Sequence, residues 1–295
     1  MKLLIVIALA FAFGKAASQE YAFKVLINKG QNTIKAGDGW LPIKVGTSLK
    51  STDELRIAQN GYLGLVHVSG NPLEVKAPGK HKVHDLTARI RPGASVLRQY
   101  TDFILSTSNE KRNNLNATGA VHRGSDEIKV FLPKAEDARV FNDNISVTWA
   151  KDLKTPVYVV SFNNMFGDLL YKVETRDTTL LVDLKGVKFA NEANILIEVT
   201  SELDAKKKSG QFMIKKLSAA DKAPISSSLK EISTVNVEET ALSQLYTANF
   251  YEKQSLLIDA STSYQKAISL APDVPYFRQA YAAFLLRNGF QTTQR

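Results

Sequence analysis

No cysteine occurs in the 295 residues. That excludes disulfides, cysteine-based metal sites, thiol nucleophiles and a lipoprotein-type anchor. An exported chain of this size without a disulfide fits a bacterial envelope better than a eukaryotic secreted domain. Histidine is scarce, with His67, His81, His84 and His122 the only four. His81 and His84 lie beside Asp85, but strand alternation puts them on opposite faces, so they read as surface residues and not as ligands. No G-x-S-x-G stretch is present, and no helix of suitable spacing follows the glycines of AGDGW, so a phosphate or dinucleotide loop is excluded. Asp53-Glu54 is an adjacent carboxylate pair that reads as a solvated turn. The sequence therefore supplies no catalytic residue, no metal ligand and no cofactor site, and the chain reads as a non-enzyme.

Long apolar runs are also few. The only one is LLIVIALAFAF at 3–13, behind Lys2 and ahead of the small residues of GKAAS. A positive start, a short apolar stretch and a small-residue site make a secretory signal over 1–18, cut after Ser18. The run is shorter than the roughly 20 residues a bilayer span needs. The mature chain is thus expected to lack a transmembrane segment and to be periplasmic, associated with the outer membrane or held at the cell surface. Without Lys2 and Lys15, 36 basic residues face 29 acidic ones, a charge of +7. This favours acidic partners such as anionic lipid, polysaccharide or an acidic protein face. The basic residues are scattered and accompany no nucleic-acid motif, so no nucleic acid is expected.

Three periodicities follow. Residues 19–90 carry short apolar runs: YAFKVLI, WLPIKVG, 55–58, YLGLVHV, PLEVK and HKVHDL. Turn residues separate them, including Asn60-Gly61, both tolerant of positive φ. PLEVK should pair with YLGLVHV across Ser69-Gly70-Asn71, and HKVHDL should be the last strand. Residues 91–126 hold an amphipathic stretch, SVLRQYTDFIL, with Val96, Tyr100 and Phe103 at helical spacing, then a polar linker. Residues 127–218 hold seven runs: EIKVFLP, ISVTWA, VYVVSFN, LLYKVE, TTLLVDL, NILIEVTSE and GQFMIKKL. That count and spacing suit a β-sandwich with Trp149 facing inward. Lys206-Lys207-Lys208 reads as a solvated hairpin loop. Trp40, behind a glycine-rich turn, is a candidate glycan platform set against the simpler reading of a core tryptophan. Residues 219–236, with KAPISSS, read as a linker. Over 237–295 the period becomes helical. The predicted fold class is mixed and multidomain, with an all-β N-terminal roll, a β-sandwich middle domain and all-α C-terminal helices.

Resemblances add to this. Leu49, Asp53, Leu55, Gly61, Leu63, Leu65 and Val75 follow the cadence of a FecR-type periplasmic domain, which implies a β-roll and, with the cysteine-free composition, a Bacteroidota-type envelope. FecR proteins usually carry an anti-sigma segment and a membrane helix ahead of this domain, where this chain carries an export signal. Residues 127–218 resemble a fibronectin-III or Ig-like sandwich. Ala241, Ala248, Tyr251, Ala260, Tyr264, Ala267 and Pro272 resemble a tetratricopeptide repeat, with Gln244 and Thr247 where that repeat usually has Trp and Leu. The repeat resemblance implies a partner groove, for which Gln244, Thr247, Tyr251, Tyr276 and Arg278 are the candidate residues. One repeat and a following helix bury little core by themselves, so these helices must pack on another domain, another copy or a partner. The expected function is an exported envelope scaffold or adaptor that binds protein partners through its helices and β domains. The alternatives are a FecR-like periplasmic sensor and a carbohydrate-binding protein with an anionic polysaccharide as ligand.

Overall fold

A computed structural model describes residues 21–90, 100, 101, 104, 127–233 and 239–290. The expected export signal of 1–18 and the expected polar linker of 106–126 lie outside the described residues, as do Val96 and Phe103. The fold is mixed, with antiparallel sheets in the first two thirds and helices in the last.

The first unit contains β1 (Phe23–Lys29), β2 (Thr33–Ala36), β3 (Gly39–Pro42), β4 (Ser48–Leu49), β5 (Glu54–Ile57), β6 (Tyr62–His67), β7 (Pro72–Val75) and β8 (Gly79–Lys82). They form two four-stranded sheets, β4-β1-β6-β7 and β3-β2-β5-β8. Leu49, Leu55, Leu63, Leu65 and Val75 lie in one core with Phe23, Val25 and Ile57. The PLEVK run pairs with YLGLVHV as the turn residues require. The last expected strand is cut short. The chain leaves β8 at Lys82 and enters a one-turn helix, α1 (Val83–Thr87). Val83 and Leu86, three apart, then reach the same core from one helical face. His84 is consequently on a helix and His81 on the strand before it, which corrects the strand-alternation argument.

β6 is apolar without alternation because both its faces are covered. Leu63 and Leu65 point into the first core, while Tyr62 and Val66 belong to a second core built with the helices. A register shift between Val25 and Ile27 in β1 accompanies a pair of consecutive residues, Leu26 and Ile27, in that second core.

The middle unit contains β9 (Arg139–Val140), β10 (Asn144–Thr148), β11 (Tyr158–Asn163), β12 (Leu169–Thr175), β13 (Thr179–Asp183), β14 (Asn194–Ser201) and β15 (Phe212–Lys216). β10 pairs with β13, and the larger sheet runs β12-β11-β14-β15-β9 with β9 parallel to β15. Trp149 is buried between the sheets, edge-on to Tyr158 at 5.5 Å. EIKVFLP forms no regular strand. Its backbone bonds divide between Ile128 N to Lys208 O and Phe131 N to Thr148 O, leaving isolated bridges. Ser146 and Thr148, which strand alternation with the inward Trp149 would turn outward, are also buried. The reason is a helix across the outer face of β10, where the Ser146 N–H donates to Thr262 Oγ1 at 2.9 Å.

The helical part holds α2 (Ala219–Ser233), α3 (Ala241–Lys253), α4 (Leu257–Leu270) and α5 (Pro275–Arg287). α2 replaces the expected linker of 219–236. KAPISSS looks unhelical, but Ser226, Ser227 and Ser228 each donate to the carbonyl four residues back. Their hydroxyls are thus satisfied within the helix. Ile225, Leu229 and Ile232 recur at helical spacing and pack into the second core. α3 opens on a capping box between Thr240 and Ser243. Ala248 and Ala260 are fully buried, as small residues must be where α3 and α4 approach closely. Tyr264 packs against Phe284 of α5 at 5.0 Å. Its hydroxyl donates to Glu252, which also receives Arg287 and Asn288. The turn from α3 to α4 places Ser255 at φ 55°. A non-glycine residue there costs about 1 kcal/mol or more. Ser255→Gly is therefore expected to raise the thermal midpoint by a few degrees, and a fall would show that the serine side chain holds the turn.

The helices do not stand apart from the β units. Their core is continuous with Leu26, Ile27, Tyr62 and Val66 of the first unit and with Phe131 of the middle one. Two carboxylates tie the seams. Glu74 of β7 accepts from the Leu242 N–H at 2.6 Å, at the start of α3, and from the Tyr62 hydroxyl at 2.7 Å. A carboxylate there also complements the helix dipole. Asp259 of α4 accepts from the N–H groups of Phe141 and Asn142, both at 2.8 Å. Lys29 adds a salt bridge of 2.6 Å to Asp273, in the loop between α4 and α5.

Candidate functional site

The five residues expected to line a partner groove fall in different surroundings. Tyr251 is 2% exposed and lies in the seam with the middle unit, its hydroxyl accepting from Asn142 Nδ2 at 3.0 Å. It is a structural residue of the interface. The sequence period places it on an apolar helical face but does not say that the same chain covers that face. Gln244 and Thr247 are half-buried on α3, where Gln244 donates to Glu239 and Thr247 to the Ser243 carbonyl. Tyr276 is half-buried and Arg278 exposed, both in the first turn of α5. The four that remain are divided between two helices.

A different surface gathers the chemistry. In β5, Leu55 and Ile57 point into the core, so Glu54 and Arg56 point out. Register carries this outward face across the sheet. Thr33 and Lys80 flank Arg56, Lys82 pairs with Glu54, and Trp40 pairs with Lys35. Side-chain contacts agree. The Arg56 guanidinium lies 4.0 Å from the Trp40 ring centroid, and the Lys80 ammonium lies 6.0 Å from it. Glu54 sits 3.8 Å from both Lys35 and Lys80. Trp40 is neither a core residue nor a free one: it is half-buried on an edge strand, ordered by cation–π stacking.

Lys35, Arg56, Lys80 and Lys82 thus face one carboxylate, Glu54. At 3.8 Å and with long exposed side chains, the pairs of Glu54 are weak. Beside this face opens a cleft of about 460 Å³, lined by Glu54, Lys80, His81, Lys82, Asp85, Leu86 and Arg89. One wall is α1, which the sequence period read as strand. The missed residues are Arg56, Lys80, Lys82 and Arg89. The available signal was β-strand alternation, in which ELRI and GKHK both put charges on one side.

The other singled-out residues serve the fold. Asp53 accepts from the Lys50 N–H at 2.7 Å and closes a turn. His81 bonds the Ala77 carbonyl, and burial pushes the His67 pKa down. Lys207 pairs with Asp152 and Lys208 with Glu198, so the lysine run is largely neutralised at home. Among the described residues, no three His, Asp or Glu cluster as metal ligands, and no helix is long and apolar enough to cross a membrane. No protein-family model matches the chain, and no curated protein matches it.

Proposed function

We propose that the chain is an exported, non-catalytic scaffold of the cell envelope that engages an acidic partner through the outward face of β3-β2-β5-β8. The observation that carries this reading is the grouping of Lys35, Arg56, Lys80 and Lys82 on one face of the sheet, with Arg56 and Lys80 over the half-buried Trp40 ring. The net basic charge of the whole chain points the same way. The helices contribute differently from what their repeat-like spacing implies. They join the two β units through a shared core and so hold the binding face in a fixed relation to the middle unit.

Chemical crosslinking in intact cells, read by mass spectrometry, tests this. Adducts are expected at positions 35, 80 and 82, and a Lys35→Glu, Arg56→Glu, Lys80→Glu variant should lose the partner while keeping its thermal midpoint. Adducts confined to the helical residues 244, 247, 276 and 278, with the triple variant unaffected, would reject it.

A further inference from the structure

We infer that the ligand of this face is an acidic polysaccharide, with a sugar ring against Trp40 and acid groups on Arg56 and its neighbouring lysines. The inference rests on the binding role proposed above and adds the chemical class.

The arrangement has two parts that a glycan acid needs together. The first is a flat aromatic ring, half-buried on an edge strand with Arg56 over one face, whose other face the C–H side of a pyranose would pack against. The second is a guanidinium that has no carboxylate of its own among the described residues. Stacking on Trp40 holds Arg56 in place before any ligand arrives, which reduces the ordering cost of binding. An arginine fork takes a carboxylate or sulfate with two parallel bonds, which a lysine cannot do.

The cations also extend in a pattern. Lys35 is on β2 and Lys82 on β8, two strand spacings apart, or about 10 Å. Arg56 and Lys80 form a second row on adjacent strands. The cleft continues the charge toward Arg89. A chain of repeating acidic sugars can satisfy several of these cations at once, whereas a single small anion can use only one or two. An acidic peptide offers the charges but no ring for Trp40. The sequence reading of Trp40 as a candidate glycan platform thereby gains the cations that its register partners supply.

The probe is polygalacturonate, tested against the intact mature protein by affinity electrophoresis. Two controls separate the contributions. Methyl-esterified polygalacturonate keeps the ring and loses the charge, and poly-L-glutamate keeps the charge and loses the ring. Retention by polygalacturonate should exceed that by either control about tenfold and weaken with salt. Trp40→Ala and Arg56→Gln should each lose about tenfold, while Arg56→Lys keeps part and the remote Lys154→Ala keeps all. Circular dichroism checks that the variants fold. Equal retention by poly-L-glutamate would overturn the glycan assignment and leave the acidic-partner reading intact. No retention by polygalacturonate would overturn it as well, and the crosslinking result then decides the broader reading separately.

Discussion

Asp259→Ala is expected to lower stability by about 3 kcal/mol at pH 7, the cost of leaving buried donors without an acceptor. Asp259 is fully buried at the start of α4, with each carboxylate oxygen taking one backbone N–H from the middle unit. Alanine removes both acceptors and leaves a void beside Tyr251. Because this contact joins the helices to the middle unit, loosening should show first as faster hydrogen exchange at Phe141 and Asn142. An unchanged urea midpoint would sink the prediction.

The same group gives a pH signature. Burial raises the Asp259 pKa from 3.8 to about 6, against the opposing pull of the two N–H bonds and of Lys222. The folded state therefore keeps a proton that the unfolded state loses. Between about pH 4 and 6, stability should fall as pH rises, by about 3 kcal/mol in all. Asp143 and Asp152 act in another window. Hydrogen bonds from lysines hold their pKa values down despite desolvation, so their contribution is lost only as pH drops below the ordinary carboxylate range. Asp259→Asn should abolish the slope between pH 4 and 6 and leave the acid limb alone. A retained slope in that variant would assign it to another group.

The strands were legible because alternation and turn residues are local. Leu63 and Leu65, Trp149, and the hairpin from β6 to β7 all follow from spacing within a few residues. What could not be read was which second layer covers an apolar face. YLGLVHV carries two apolar faces, but nothing in it says that one meets the helices. KAPISSS was misread because proline and three serines outweigh Ile225, Leu229 and Ile232 when the helix is considered without its neighbours. Tyr251 was assigned to an open groove for the same reason. The basic face is hard to see in the sequence because its cations come from three short strands, β2, β5 and β8, and cluster only through register. Trp40 stands out in the sequence by itself, and nothing local to it points to the Arg56 that stacks on it.

Gly61→Ala is the second change expected to be costly, at about 3 kcal/mol. The motif reading gave Gly61 a role in a turn with positive φ, and the structure assigns that conformation to Asn60 at 57°. Gly61 is needed for space. A Cβ there would stand 2.5 Å from Asn32 Oδ1, 2.8 Å from the Ala58 carbonyl and 3.0 Å from Ile57 Cγ2. Two of these neighbours are polar atoms with fixed tasks. The Ala58 carbonyl takes the Gly61 N–H, and Asn32 Oδ1 takes the Ala58 N–H. Asn32 is itself buried and also donates to Asn28, Lys29 and Tyr62. A methyl group must either push Asn32 out of this network or open the turn, so overpacking and lost hydrogen bonds add. The effect should reach the helices, because Lys29 bonds the Asn60 carbonyl and Asp273 together. Combining Gly61→Ala with Asn32→Ala separates the terms. If the clash with Asn32 dominates, the double variant should be more stable than the sum of the two losses predicts, by 1 kcal/mol or so. Strict additivity in urea unfolding would place the strain in the turn backbone and not in the asparagine.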